Sequence, residues 1–112
     1  MLFPNVKCRE ELEDIVKYVT YPPKGTRGVS SNTRANLYGR ITDYFENVDK
    51  EFCLMVQVET MAGIEKIGEI SKIPKLDVIF IGPQDLAADL GYLGNPGHPS
   101  VRKIMKEAIS LI

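Results

Sequence analysis

FCLMVQVETMAGIEKIGEISKIPKLDVIFIGPQDLAADL, residues 52–90, decides the fold. Two apolar runs, Phe52–Val58 and Val78–Ile81, bracket a segment in which Ile64, Ile67 and Ile70 recur at helical spacing. The first run is nearly continuous in apolar residues, as a parallel strand buried on both faces requires. The second, Val-Ile-Phe-Ile, is β-branched and aromatic and is the strongest strand signal in the chain. Thr60 is placed to cap the intervening helix, and Pro74 stops it. Each run ends in a polar tip, Gln57-Val58-Glu59 on one and Gly82-Pro83-Gln84-Asp85 on the other. A strand–helix–strand unit with a carboxylate at each strand end puts both acids on the edge of a parallel α/β sheet where chemistry collects. Glu59 and Asp85 therefore read as a metal-holding pair.

Upstream, Leu2-Phe3 before Pro4-Asn5 looks like the tail of a strand. A helix is expected from about Lys7 to Tyr18, with Leu12, Ile15, Val16 and Val19 on one face and Glu10, Glu11 and Glu13 suited to its first turns. Tyr21-Pro22-Pro23 ends it. Residues 24–39 form a long polar loop, a length that implies either function or disorder. Its arginines, Arg27 and Arg34, either face an anionic substrate or hold the loop by bonding to carbonyls, and the structural role is favoured for each. Ile41, Tyr44, Phe45 and Val48 predict a second helix over residues 41–48. Downstream, Asp85–Leu90 reads as a short helix, with Gly82-Pro83 as a tight turn rather than a phosphate cradle. A Gly- and Pro-rich loop follows from Gly91 to Pro99. A last helix then carries Val101, Ile104, Met105, Ala108 and Ile112 on one face, with Pro99 in its first turn. Alternation of this kind predicts a parallel α/β architecture in one domain over residues 1–112.

Composition excludes several classes. Fourteen basic and fifteen acidic residues leave a net charge of −1, with no basic tract for nucleic acid or an anionic membrane. No apolar stretch approaches the ~20 residues that span a bilayer. The start, MLFPNVK, has no basic region leading into an apolar core, so a secretory signal is not expected. Cys8 and Cys53 lack metal-type or redox-type spacing and lie in apolar-patterned segments. They are read as buried thiols of a reducing cytoplasm rather than as a disulfide.

Four motifs, YPPKGTRGV at Tyr21–Val29, VQVET at Val56–Thr60, FIGPQDLAADLG at Phe80–Gly91 and GNPGHP at Gly94–Pro99, resemble the HpcH/HpaI aldolase family. They occur in the family's order and cover most of the chain, and they favour its aldolase branch over the citrate-lyase β-like branch that acts on acyl-CoA. The resemblance implies a (β/α)₈ TIM barrel, usually hexameric, and a metal-dependent aldolase that cleaves a hydroxy-2-oxo acid to pyruvate and an aldehyde. It implies Glu59 and Asp85 as ligands of a divalent cation (Mg²⁺ or Mn²⁺, with Co²⁺ able to substitute). It implies Gln57 as a contact to the bound oxo acid and the backbone around Gln84 and Asp85 as the receiver of its carboxylate. A hard cation on oxygen ligands suits this chemistry, because it takes up the charge that builds on the former keto oxygen as the enolate forms. A lone carboxylate at a strand end is most often a solvated terminus or a cap, and two on consecutive strand ends within matching motifs favour the metal.

A full barrel takes about 250 residues, and this chain supplies strands for only about three of the eight. The base histidine, its supporting aspartate and the arginine that faces the enolate belong to strands not found here, so no catalytic proton-transfer residue is assigned. His98 is the only histidine, and GNPGHP is not the family's base motif, so His98 is read as a loop or helix-start residue. No lysine is expected at a strand end. Three strands covered on one face leave a bare apolar face. The expectation is a partial barrel that is a piece of a longer product, half of a split barrel, or a relative that associates with itself. Its activity is that of an aldolase, or else it is a non-catalytic remnant keeping the metal site, the oxo-acid site or an oligomer interface.

Overall fold

The computed structural model describes all 112 residues. The chain divides into two compact units, one comprising Met1–Glu13 with Cys53–Ile112 and the other comprising Asp14–Phe52. The first holds a three-stranded parallel sheet of β1 (Leu2–Phe3), β2 (Met55–Val58) and β3 (Val78–Ile81), in the spatial order β1-β2-β3. Leu2 pairs with Met55 and Met55 with Val78, while Val58 pairs with Ile81, so β2 and β3 end level and Glu59 and Gly82 follow at the same edge. This is α/β architecture, a parallel sheet with its helices, as expected.

Side chains alternate across the sheet. Val56 and Val58 point to the helical side and are fully buried. Leu54, Ile64, Ile67, Ile70, Ile73, Leu86, Val101 and Ala108 complete that core. The other face carries Leu2, Val78 and Phe80, which are 48%, 42% and 49% exposed, so nothing in this unit covers it. The bare inner face expected from three strands is present. Cys53 shares the phase of Met55 and Gln57 and is exposed, while Cys8 is half-buried. Both cysteines are free, as expected. The expected burial of Cys53 is wrong, because that burial was read from an apolar run and not from which face is covered.

Helix boundaries depart from periodicity where backbone chemistry intervenes. The helix after Thr60 is two short helices, α3 (Met61–Glu65) and α4 (Ile67–Ile70), because Lys66 closes a tight turn by donating its N–H to the Gly63 carbonyl. Gly63 lets α3 approach the sheet, since a Cβ there would stand 2.8 Å from both the Val58 side chain and the Val6 carbonyl. Next comes α5 (Pro83–Asp89), which begins two residues before the expected start. Gly82 is its N-cap, and Pro83 occupies the first position, where a missing N–H costs nothing. Then α6 (Pro99–Ile109) runs as expected over most of its length.

In the second unit lie the end of α1 (Arg9–Val19), a 3₁₀ turn at Arg34–Asn36 and α2 (Tyr44–Glu51). The predicted helix over residues 41–48 is displaced three residues downstream. Left-handed Leu37, Tyr38 and Gly39 form a turn in which the Ile41 N–H bonds to the Asn36 carbonyl at 3.2 Å, and Asp43 stands at the N-cap position without a side-chain bond to the helix backbone. Strand β2 starts correspondingly late, with Phe52 still the C-cap of α2. The loop 24–39 is ordered by its own bonds. Buried Asn36 accepts the N–H groups of Thr33 at 3.0 Å and Gly39 at 3.1 Å and donates to the Ser31 carbonyl at 2.9 Å. Arg27 lies over the Tyr21 ring at 4.6 Å, a structural cation–π role in place of the expected carbonyl bond. Arg34 is exposed at the start of the 3₁₀ turn.

Candidate active site at the carboxyl edge of the sheet

Directly beyond the strand ends a cleft of about 410 Å³ opens between Asn5, Lys7, Glu59, Thr60, Asp85, Ala88 and Asp89. Each strand contributes the residues that follow it. Asn5 and Lys7 come from the chain after β1, Glu59 and Thr60 from the chain after β2, and Asp85, Ala88 and Asp89 from α5. The two carboxylates singled out by sequence meet here.

Glu59 is only 8% exposed. Its carboxyl is pushed above the ordinary value of 4.5, first by burial and then by the neighbouring Asp85 charge, with a hydrogen bond to Asp85 adding to the rise. The Asn5 N–H and the Gln57 amide work against the shift by donating to the carboxylate. Asn5 presents its N–H from a left-handed backbone at φ 58°, a conformation that asparagine tolerates better than most residues. A desolvated acid facing a second acid is costly unless a cation joins them.

Gly82 makes room for the pair. An added Cβ would lie 2.7 Å from Glu59 Oε2, 2.8 Å from Gln57 Nε2 and 2.8 Å from Glu59 Cβ. Its backbone is ordinary at φ −82°, so space and not conformation requires glycine. Asp89 accepts the Met61 N–H at 2.7 Å and ties α5 to the start of α3. Thr60 accepts the Gly63 N–H at 3.3 Å, the cap expected of it.

Of the residues read from sequence, Glu59, Asp85 and Gln57 come together. Gln84 is exposed in the first turn of α5, and its side chain does not line the cleft. Arg27 and Arg34 do not line it either. His98 caps α6, where its Nδ1 accepts the Ser100 N–H at 3.2 Å and its ring stacks on Tyr92 at 3.7 Å. Sequence reasoning missed Asn5, Lys7 and Asp89. No lysine stands at a strand end, as expected, but Lys7 lines the cleft from the loop between β1 and α1. The only signal was Asn5 just past an apolar pair, a residue type suited to a left-handed turn.

Two strand-end acids thus meet at the carboxyl edge of a parallel α/β sheet, one of them buried and bonded to the Gln57 amide. The HpcH/HpaI aldolase/citrate lyase family profile matches residues 1–111, and the chain belongs to that family. It is 44% identical over 105 residues to a 5-keto-4-deoxy-D-glucarate aldolase of Shigella boydii serotype 18, covering 94% of this chain and 41% of the relative. The fold is similar to a crystal structure of a family member from Burkholderia cenocepacia J2315, with TM-score 0.92, 32% identity, 98% of this chain and 44% of that one. The HpcH/HpaI aldolase of Desulfitobacterium hafniense DCB-2 gives TM-score 0.82 at 26% identity, with 98% and 43% covered. The chain thus spans under half the length of the relatives it matches.

Proposed function

We propose that this chain forms the metal-binding and oxo-acid-binding part of a class II aldolase, a carbon–carbon lyase acting on a hydroxy-2-oxo acid. The observation that carries the reading is the buried Glu59 carboxyl facing Asp85 across the cleft, raised first by burial and then by the Asp85 charge. Glu59 and Asp85 would hold a divalent cation of the Mg²⁺ or Mn²⁺ type, whose oxygen preference fits this donor pair. Bound there, the cation would supply Lewis-acid stabilisation of an enolate oxygen.

The protein's own residues orient the reaction. The Gln57 amide donates to one oxygen of Glu59 and from there would contact the oxo acid. The N–H groups of Gln84 and Asp85, in the first turn of α5, have no intrahelical carbonyl to bond and suit a carboxylate. In the cleavage, the bond between C3 and C4 breaks and its electron pair becomes the C2–C3 enolate. The C4 hydroxyl proton leaves to a base, and protonation at C3 completes pyruvate. His98 is committed to capping α6, so we assign that base to no residue of this cleft.

The bare face of Leu2, Val78 and Phe80 supports completion by another barrel segment or by like copies. The two free thiols suit a cytoplasmic setting, and no helix is long and apolar enough to cross a membrane. A second reading, a non-catalytic remnant that retains the cation and oxo-acid site, is favoured by the commitment of the only histidine elsewhere.

Titration calorimetry with Mn²⁺ tests the site. The chain is expected to bind one ion, and Glu59→Ala to weaken it by more than about tenfold. Unchanged binding in that variant would sink the pair. Deuterium exchange into pyruvate with Mn²⁺, followed by mass spectrometry, tests the chain by itself: exchange supports the lyase and overturns the remnant, and binding without exchange shows that the chain alone is not the enzyme.

A further inference from the structure

Helix α6 carries a basic groove that the aldolase reading does not use. One face of the helix is anchored, with Val101 and Ala108 fully buried. Its exposed side bounds a groove of about 550 Å³ lined by Gly97, Pro99, Arg102, Lys103, Lys106 and Glu107. Small-molecule sites occupy about 300–1,000 Å³, and none of these residues lines the carboxyl-edge cleft. Three cations and one acid leave the lining with a net charge of +2, in a chain whose own net charge is −1. Glu107 answers Lys103 at 3.8 Å. Arg102 and Lys106 stand four residues apart, and neither side chain has an ion-pair partner. Like charges at that spacing are neighbours on a helix and repel one another. At Gly97 an added Cβ would meet nothing nearer than Asn95 Oδ1 at 3.9 Å, so packing does not demand glycine there, and its small size keeps the rim open.

We propose that this groove is a binding site for a dianionic phosphoryl group, with the Arg102 guanidinium taking two of its oxygens and the Lys106 ammonium a third. A guanidinium fork matches two phosphate oxygens, and an ammonium supplies a point charge. A carboxylate has two oxygens and one charge, so it satisfies Arg102 and leaves Lys106 unanswered. A dianion with three terminal oxygens satisfies both and removes their repulsion. A phosphodiester, as in a nucleic-acid backbone, carries one charge and fits less well for the same reason. Free phosphate and a small phosphate monoester share this chemistry, and the volume left beside the phosphoryl group favours the monoester.

The test follows backbone amide resonances of the full chain without divalent cation, at about pH 8, where a phosphate monoester (second pKa about 6) is a dianion. The probes are glycerol 3-phosphate, inorganic phosphate, dimethyl phosphate and acetate. Glycerol 3-phosphate is expected to shift the amides of residues 97–107 and to bind at least about tenfold more tightly than dimethyl phosphate or acetate. Arg102→Gln and Lys106→Gln should each weaken it by about fivefold or more. Glu107→Gln, which removes the one acid of the lining, should tighten it by about two- to fivefold. Lys72→Gln removes an exposed lysine outside the groove and should leave affinity within about twofold. Inorganic phosphate that binds as tightly as glycerol 3-phosphate names free phosphate as the ligand, and weaker binding names the monoester. Shifts centred away from α6, equal affinity for the monoanions, or equal losses in Arg102→Gln and Lys72→Gln would reduce the groove to a general basic surface and overturn the site.

Discussion

Gly82 shows how narrowly a single residue sets the site. It follows β3 at the level where Glu59 follows β2, and its hydrogen atom faces the Glu59 and Gln57 side chains. A methyl group there would stand under 3 Å from three atoms, and one of them, Glu59 Cβ, is close to the backbone and has little freedom to yield. Gly82→Ala is therefore expected to displace Glu59 from Asp85. Mn²⁺ affinity should fall by about 10–100-fold and stability by about 1–3 kcal/mol, as in other overpacked positions. Calorimetry and urea denaturation measure the two effects. A variant with wild-type Mn²⁺ affinity would show that the crowding is relieved elsewhere and that Gly82 does not shape the pair.

At the scale of the element, α6 and α5 bury apolar residues and each carries a polar contact at one end. His98 accepts the Ser100 N–H and stacks on Tyr92, so one side chain both caps α6 and closes the loop before it. His98→Ala is expected to cost about 1 kcal/mol in denaturant unfolding, and His98→Asn to recover most of it, the ordinary range for a lost and a restored cap. Equal losses in both variants would assign the stability to the Tyr92 stack instead. These ends also mark what was legible beforehand. Apolar runs gave β2 and β3, and isoleucine spacing gave α3 and α4, because burial of one face forces a period on the sequence. The break at Lys66 and the displaced start of α2 were not legible, since they depend on turns closed by backbone N–H groups, which carry no side-chain pattern. Glu59 and Asp85 were legible because strand ends and motifs coincide there. Lys7 and Asp89 were not, because they reach the cleft from the loop before α1 and from the last residue of α5, placements that leave no periodic pattern.

For the whole molecule, the unusual feature is a parallel sheet covered on one side. Purely parallel strands are ordinarily buried on both faces, and here Leu2, Val78 and Phe80 are each more than two-fifths exposed on the same face. Burying a large aromatic side chain stabilises by about 1.5–3 kcal/mol, so this face favours any partner that fits its curvature. The chain covers only 44% of the similar Burkholderia structure, consistent with a surface shaped to meet other barrel strands. In isolation the chain is expected to associate with itself through this face. Sedimentation equilibrium should show a concentration-dependent rise in mass at micromolar loading. Phe80→Glu should shift it toward monomer by at least about tenfold in dissociation constant, because the substitution removes buried apolar area and puts like charges against one another across the contact. Ser110→Glu, on exposed chain beyond α6, is the control and should leave the mass distribution unchanged. A chain that stays monomeric at all concentrations, or a Phe80→Glu variant that associates as the parent does, would remove the sheet face as the contact.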